Sequence, residues 1–204
     1  MLRFDHVIVA VPDLESATHR LQDEHGLGWV EGGRHAGHGT ANRLVPLGPD
    51  YLEFVAVVDG SEAARSPFGR WVGQHAGPEA RAGLCLRTLD ISGLGESLGI
   101  VPISMSRTRP DGVVLNWRLL GLETALARGL PFFIEWDGPP ADHPGRAEAG
   151  HRVLPRGIAW VELGGEPATV DGWLGNHALD LRLIDGAPGV HRVGVATADG
   201  ELVL

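Results

Sequence analysis

The stretch GGRHAGHGTANRLV, residues 32–45, gathers two histidines, two arginines and an asparagine between glycines. Just beyond it runs YLEFVAVV, an apolar strand-like segment interrupted by one carboxylate, Glu53. A carboxylate inside an apolar strand costs several kcal/mol unless ionised groups or a metal compensate it. His35 could move protons near neutral pH, Arg43 could pair with a ligand carboxylate, and Asn42 could hydrogen-bond a polar group. In a regular strand only one of Asn42 and Arg43 can share a face with Glu53, and the sequence leaves that choice open. Two readings stand side by side: the lip and floor of a binding site, or a solvated loop feeding a hairpin whose glutamate faces water. The glycines suit either, because they let the chain turn tightly.

Other constellations offer different chemistry. GESLG, residues 95–99, spells the G-x-S-x-G nucleophile elbow of serine hydrolases. That elbow needs a strand before its serine and a helix after it, whereas Ser97 follows a predicted helix that Gly99 ends. His35 and His38 in HAGH would bind one metal only on a helix, which the glycines argue against. Arg107 and Arg109 share a strand face beside a PDG turn, and could clamp an anion or belong to a solvated hairpin. Trp117 and Trp136 read as core or as the wall of a small-molecule pocket.

Composition removes whole classes of mechanism. All 17 basic residues are arginine, so there is no Schiff-base lysine and no lysine-bearing phosphate loop. A net charge of −9 argues against nucleic acid as a partner. No apolar run approaches the roughly 20 residues that span a bilayer, and the N-terminal segment does not read as a signal peptide. The single cysteine, Cys85, forms no internal disulfide and points to a reducing, cytoplasmic setting, with a small buried hydrophobe as its plain role.

The elements that would position these residues recur. FDHVIVAV reads as a strand and puts His6, Ile8 and Ala10 on one face, as alternation puts Tyr51, Glu53, Val55 and Val57 on one face of theirs. Between them lies a helix with Asp13 as cap, Leu14, Ala17, Thr18 and Leu21 as its stripe, and Gly26 as its stop. Strand, helix and three strands return over residues 81–137 and again over 157–204. The connector 61–80 holds a short helix capped by Ser66 and started by Pro67, and 138–156 is a second connector. The expected architecture is α+β, with units at 1–60, 81–137 and 157–204 packed as one domain.

FDHVIVAVPDLESA followed by GGRHAGHGTANRLVPLGPDYLEFVAV resembles the first module of the glyoxalase-like family, within the vicinal-oxygen-chelate superfamily. SRTRPDGVVLNWRL and LPFFIEWD resemble that family's middle section, so the likeness covers roughly residues 4–160. It implies repeated βαβββ modules forming cupped mixed sheets, with a divalent metal held by His, Gln or Glu from the first and last strands of each module. His6 and Glu53 match the ligand positions of module one. Gly83 stands opposite His6 in module two, and Glu135 is the remaining candidate for a third ligand. Such a set suits Zn²⁺, Fe²⁺, Ni²⁺ or Mn²⁺. The resemblance then implies lyase or isomerase chemistry on vicinal oxygens, Glu53 or His35 moving the proton, and Asn42, Arg43, Arg109 and Trp117 holding the substrate. The alternative is a metal-free protein that binds or sequesters a small molecule. The expected partner is a small-molecule ligand rather than nucleic acid or membrane, and a homodimer is compatible with the pattern.

Overall fold

A computed structural model of the chain describes residues 1–77, 82–109 and 112–204. Strand β1 (Arg3–Ala10) leads into helix α1 (Leu14–His25), whose first turn is tied by the Asp13 carboxylate accepting the Ser16 N–H at 2.7 Å. Gly26, at φ 71°, ends it in the left-handed conformation that glycine adopts without strain. β2 (Val30–His35), β3 (Thr40–Pro46) and β4 (Tyr51–Val57) complete the first module. They pair antiparallel in turn, and β4 returns parallel to β1 with Ile8 opposite Glu53. The glycine-rich stretch is therefore hairpin, not loop: it forms the end of β2, a tight turn and the start of β3.

The connector folds into α2 (Gly60–Ala63) and α3 (Pro67–His75), with Ser66 capping α3 and Phe68, Trp71 and Val72 buried. Module two follows as β5 (Ala82–Arg87), α4 (Ile91–Leu98), β6 (Ile103–Thr108) and β7 (Val114–Leu120), then α5 (Leu122–Arg128) and β8 (Phe132–Asp137). The helix α5, set between glycines 121 and 129, is an insertion that the repeat pattern does not contain. Pro110 and Asp111, in the expected PDG turn, lie outside the described residues.

β1 and β5 pair antiparallel, which joins the modules into one curled sheet running β2-β3-β4-β1-β5-β8-β7-β6. Its concave face is the cup. The third unit, β9 (Pro155–Gly164), α6 (Pro167–Leu174), β10 (Leu181–Ile184), β11 (Gly189–Thr197) and β12 (Gly200–Val203), has the expected element order but a different pairing. Here β10 lies parallel to β9 on one side, and β11 lies antiparallel to it on the other. A βαβββ module instead sets its first strand beside its last. The difference has a physical cause: β11 attaches to β5 at Ala82, along the stretch of edge that the shorter β8 leaves uncovered. The third unit thus extends the sheet and adds nothing to the cup. Among the described residues no helix is long and apolar enough to cross a membrane.

Candidate functional site

The concave face encloses a cavity of about 400 Å³. Its floor comes from His6 and Ile8 of β1, Asn42 and Leu44 of β3, and Tyr51 and Glu53 of β4. Its far wall is Phe132, Ile134 and Trp136 of β8 with Leu115, Trp117 and Leu119 of β7, and Phe68 of α3 closes one end. Most of this lining is apolar or aromatic, the usual make-up of a small-molecule pocket.

Glu53 is the centre of the polar floor. Its Oε1 accepts the Asn42 amide N–H at 2.5 Å and lies 3.4 Å from His35 Nε2, and its Oε2 lies 3.5 Å from His6 Nε2. Burial alone would raise its pKa. The hydrogen bond to His35, the charges of His6 and His35, and the Asn42 contact outweigh it and hold the carboxyl down at about 2. Glu53 is therefore ionised at neutral pH on the polar floor of a cup whose walls are mostly apolar.

A local irregularity lets Asn42 reach it. The β2–β3 register slips between Glu31 and Gly33, leaving Gly32 as the extra residue of a bulge. A Cβ on Gly32 would stand 1.9 Å from Asn42 Oδ1, so only glycine leaves room for the amide. The Gly33 N–H donates to that Oδ1 at 2.8 Å, which turns the amide nitrogen towards Glu53. The choice left open by the sequence is settled: Asn42 faces the cup.

A second bulge builds the layer beneath. The β1–β5 register slips between Phe4 and His6, and the extra residue, Asp5, turns its side chain alongside His6. Asp5 is fully buried and accepts from His6 Nδ1 at 2.7 Å, Trp136 Nε1 at 3.0 Å and His143 Nε2 at 3.1 Å. Burial would raise its pKa too, but the bonds from His143 and His6 hold it well below the usual carboxylate range. With Nδ1 of His6 donating to Asp5, its Nε2 is left to face Glu53, and Tyr51 stacks on the ring at 4.6 Å. Simple alternation would send Asp5 away from the cup, so its role was not readable from strand periodicity.

His6, His35, Asn42, Glu53 and Trp117 thus meet in one cavity. Three other expected residues do not join them. Arg43 points to the outer face, where it bonds Glu31 and Thr18 and lies 3.8 Å over the Trp29 ring. Glu135 faces away because Phe132, Ile134 and Trp136 hold the cup-facing parity of β8. Its Oε2 accepts the Ile91 N–H at 2.7 Å and its Oε1 accepts from Arg118. Arg109 lies beyond the end of β6 and is not among the described residues lining the cavity, whereas Arg107 is. Arg34, His38 and Trp136 also line it. Ser97 is exposed on α4 and donates to the Leu94 carbonyl, so no nucleophile elbow forms.

The donor set can be tested against a cup metal held from both modules. Ile8 pairs with Glu53 as Cys85 pairs with Phe132, so the module-two counterparts of His6 and Glu53 are Gly83 and Phe132. Neither offers a ligand atom. Among the described residues, three candidate ligand atoms come within 4.8 Å of one another only at Asp5, His6 and Cys85. There Asp5 already accepts three N–H groups, and burial pushes the Cys85 thiol well up, away from the thiolate that binds metals. These residues do not fit a metal centre drawing on both modules.

Residues 4–178 match the family model described as a glyoxalase-like domain. Among solved structures, a hypothetical protein from Staphylococcus aureus shares 20% identity at a TM-score of 0.70, covering 94% of this chain and 89% of that one. A methylmalonyl-CoA epimerase from Mycobacterium tuberculosis shares 20% identity at a TM-score of 0.46, covering 67% of this chain and 88% of its own. One from Streptomyces coelicolor, solved with 2-nitronate-propionyl-CoA, shares 14% at 0.47 over 66% and 95%. No protein of curated function matches the chain.

Proposed function

The chain belongs to the glyoxalase-like domain family, and we propose that it binds a small polar molecule in its cup without a metal drawn from both modules. The observation that carries this reading is Glu53, an ionised carboxylate at the bottom of a cavity of about 400 Å³ with apolar walls. Such a group is a strong acceptor for a hydroxyl or N–H of a bound molecule. A carboxylate with a pKa near 2 is a poor general base at neutral pH, so holding a donor suits it better than abstracting a proton.

A second reading, proton transfer of the isomerase or lyase type, is favoured by one contact. His35 Nε2 lies 3.4 Å from Glu53 Oε1 at the edge of the cup, and a carboxylate beside an imidazole fixes its orientation. In that case His35 carries the proton and Glu53 positions it.

One experiment addresses both readings. Small hydroxy acids, hydroxy ketones, diols and amines are screened by thermal shift against the wild type and Glu53→Gln. Compounds that raise the Tm of the wild type but not of the variant support the cup reading; a screen in which the variant responds to every hit equally refutes it. Hits are then incubated with the protein in D₂O and followed by NMR. Exchange of a carbon-bound proton identifies the enzyme, and its absence identifies a binding protein.

A further inference from the structure

The two edge strands of the cup, β2 and β6, approach each other across its mouth. Arg107 of β6 reaches over so far that its Nη1 lies 3.6 Å from the position a Cβ on Gly33 would take. Arg34, the next residue of β2, lines the same mouth. Among the described residues neither guanidinium lies within ion-pair distance of a carboxylate, although the charge of Arg34 helps hold the Asp59 carboxyl down and the chain holds 26 acidic residues against 17 arginines. Arg43, Arg118 and Arg192, by contrast, are all paired with glutamates.

The cup therefore has polarity along its depth: at the mouth two arginines that make no ion pair among the described residues, then aromatic walls, and an ionised Glu53 at the floor. A negative floor repels the charged end of an anion, and a positive mouth attracts it, so an anion would enter tail first. Arginine also presents a planar fork of N–H donors that matches a carboxylate or phosphate. A bare inorganic anion would leave the apolar walls empty.

Resting on the reading of the cup as a binding site, we infer that its ligand is an organic anion with an apolar or aromatic body. Arg107, with Arg34, holds the carboxylate or phosphate at the mouth, Trp117 and Phe132 contact the body, and a donor at the far end meets Glu53. Arg107 is then the specificity-determining residue for charge.

The matched probes are 3-(4-hydroxyphenyl)propionate, which has all three features, and its neutral amide. Their affinities are measured by titration calorimetry with the wild type, Arg107→Gln and Arg107→Lys. The acid is expected to bind the wild type at least about tenfold more tightly than the amide. Arg107→Gln should cost the acid far more affinity than the amide and so erase that advantage, Arg107→Lys should keep part of it, and an unchanged urea-unfolding midpoint shows that each variant is folded. Equal binding of acid and amide to the wild type overturns the anion assignment and leaves the cup as a binding site. So does an advantage that survives in Arg107→Gln. Binding of neither probe at millimolar concentration overturns both.

Discussion

Replacing Glu53 by glutamine removes the charge but keeps an oxygen for the Asn42 amide, so it isolates what the ionised state contributes. The folded pKa of about 2 lies below the ordinary value of 4.5, because His35, His6 and Asn42 favour the charged form. Stabilisation from a depressed pKa is complete above the unfolded value and is lost as pH falls from 4.5 towards 2. At 1.36 kcal/mol for each tenfold change, the full effect is roughly 3 kcal/mol, of which about 2 kcal/mol disappears by pH 3. Urea unfolding followed by tryptophan fluorescence at pH 7, 5, 4 and 3 measures it for both proteins. Asp5 titrates in the same direction in both and cancels in the difference. The wild type should be the more stable at pH 7, with the gap closing steadily below pH 4.5. A gap that is independent of pH, or that widens as pH falls, would refute the picture of a carboxylate held ionised by its neighbours.

Gly32→Ala places a methyl 1.9 Å from Asn42 Oδ1, so the amide must leave its bonds to Gly33 and Glu53, at a cost of about 1–3 kcal/mol in urea unfolding. The same substitution made on Asn42→Ala should cost less, because the side-chain clash is gone and only the 2.9 Å approach to the residue 42 carbonyl remains; equal costs in both backgrounds would contradict the bulge argument. Asp50 is buried where its carboxylate accepts the Ile158 N–H at 2.9 and 3.1 Å, and burial, reinforced by the Asp5 charge, raises its pKa to about 7. A raised carboxyl pKa stabilises the fold at low pH and loses that contribution as pH climbs from about 4 through 7. Asp50→Asn should therefore gain roughly 2–4 kcal/mol over the wild type at pH 8 and nothing near pH 4, as read from denaturation midpoints at the two pH values. Tag-free protein analysed for metal should carry no stoichiometric transition ion, and titration with Zn²⁺ or Mn²⁺ should leave its Tm unchanged. An ion that is lost in a His6→Ala/Glu53→Ala double variant would overturn the donor-set argument.

Much of this fold was legible because its signals are local. Asp13 and Gly26 bound α1, and Ser66 with Pro67 starts α3, where caps and backbone conformation act within one turn. Alternation put His6 and Glu53 on matching faces of β1 and β4, and their 3.5 Å separation follows from parallel pairing with Ile8 opposite Glu53. Regular alternation fails where the register slips. The bulge at Asp5 sets that carboxylate under His6, whereas Asn42, not Arg43, faces the cup because Leu44 pairs opposite Glu53 in an unbroken β3–β4 register. Helix α5 left a trace that could have been used, since LETALAR between two glycines is a short helix with its own stops.

The sequence by itself determined the elements, their order and the chemical types present: a carboxylate in an apolar strand, histidines near it, arginine as the only strong base. Those depend on neighbours a few residues apart. Only the tertiary structure decided which of them meet. Glu135 and Glu53 look alike on their strands, yet one caps α4 and pairs with Arg118 while the other lies between two histidines. Arg34 and Arg107 are 73 positions apart in the chain and line one mouth only because the sheet curls, so that the Arg107 side chain reaches across towards β2. A strand's inward face is set by its pairing register and by the curvature of the whole sheet, and both are properties of strands distant in the chain.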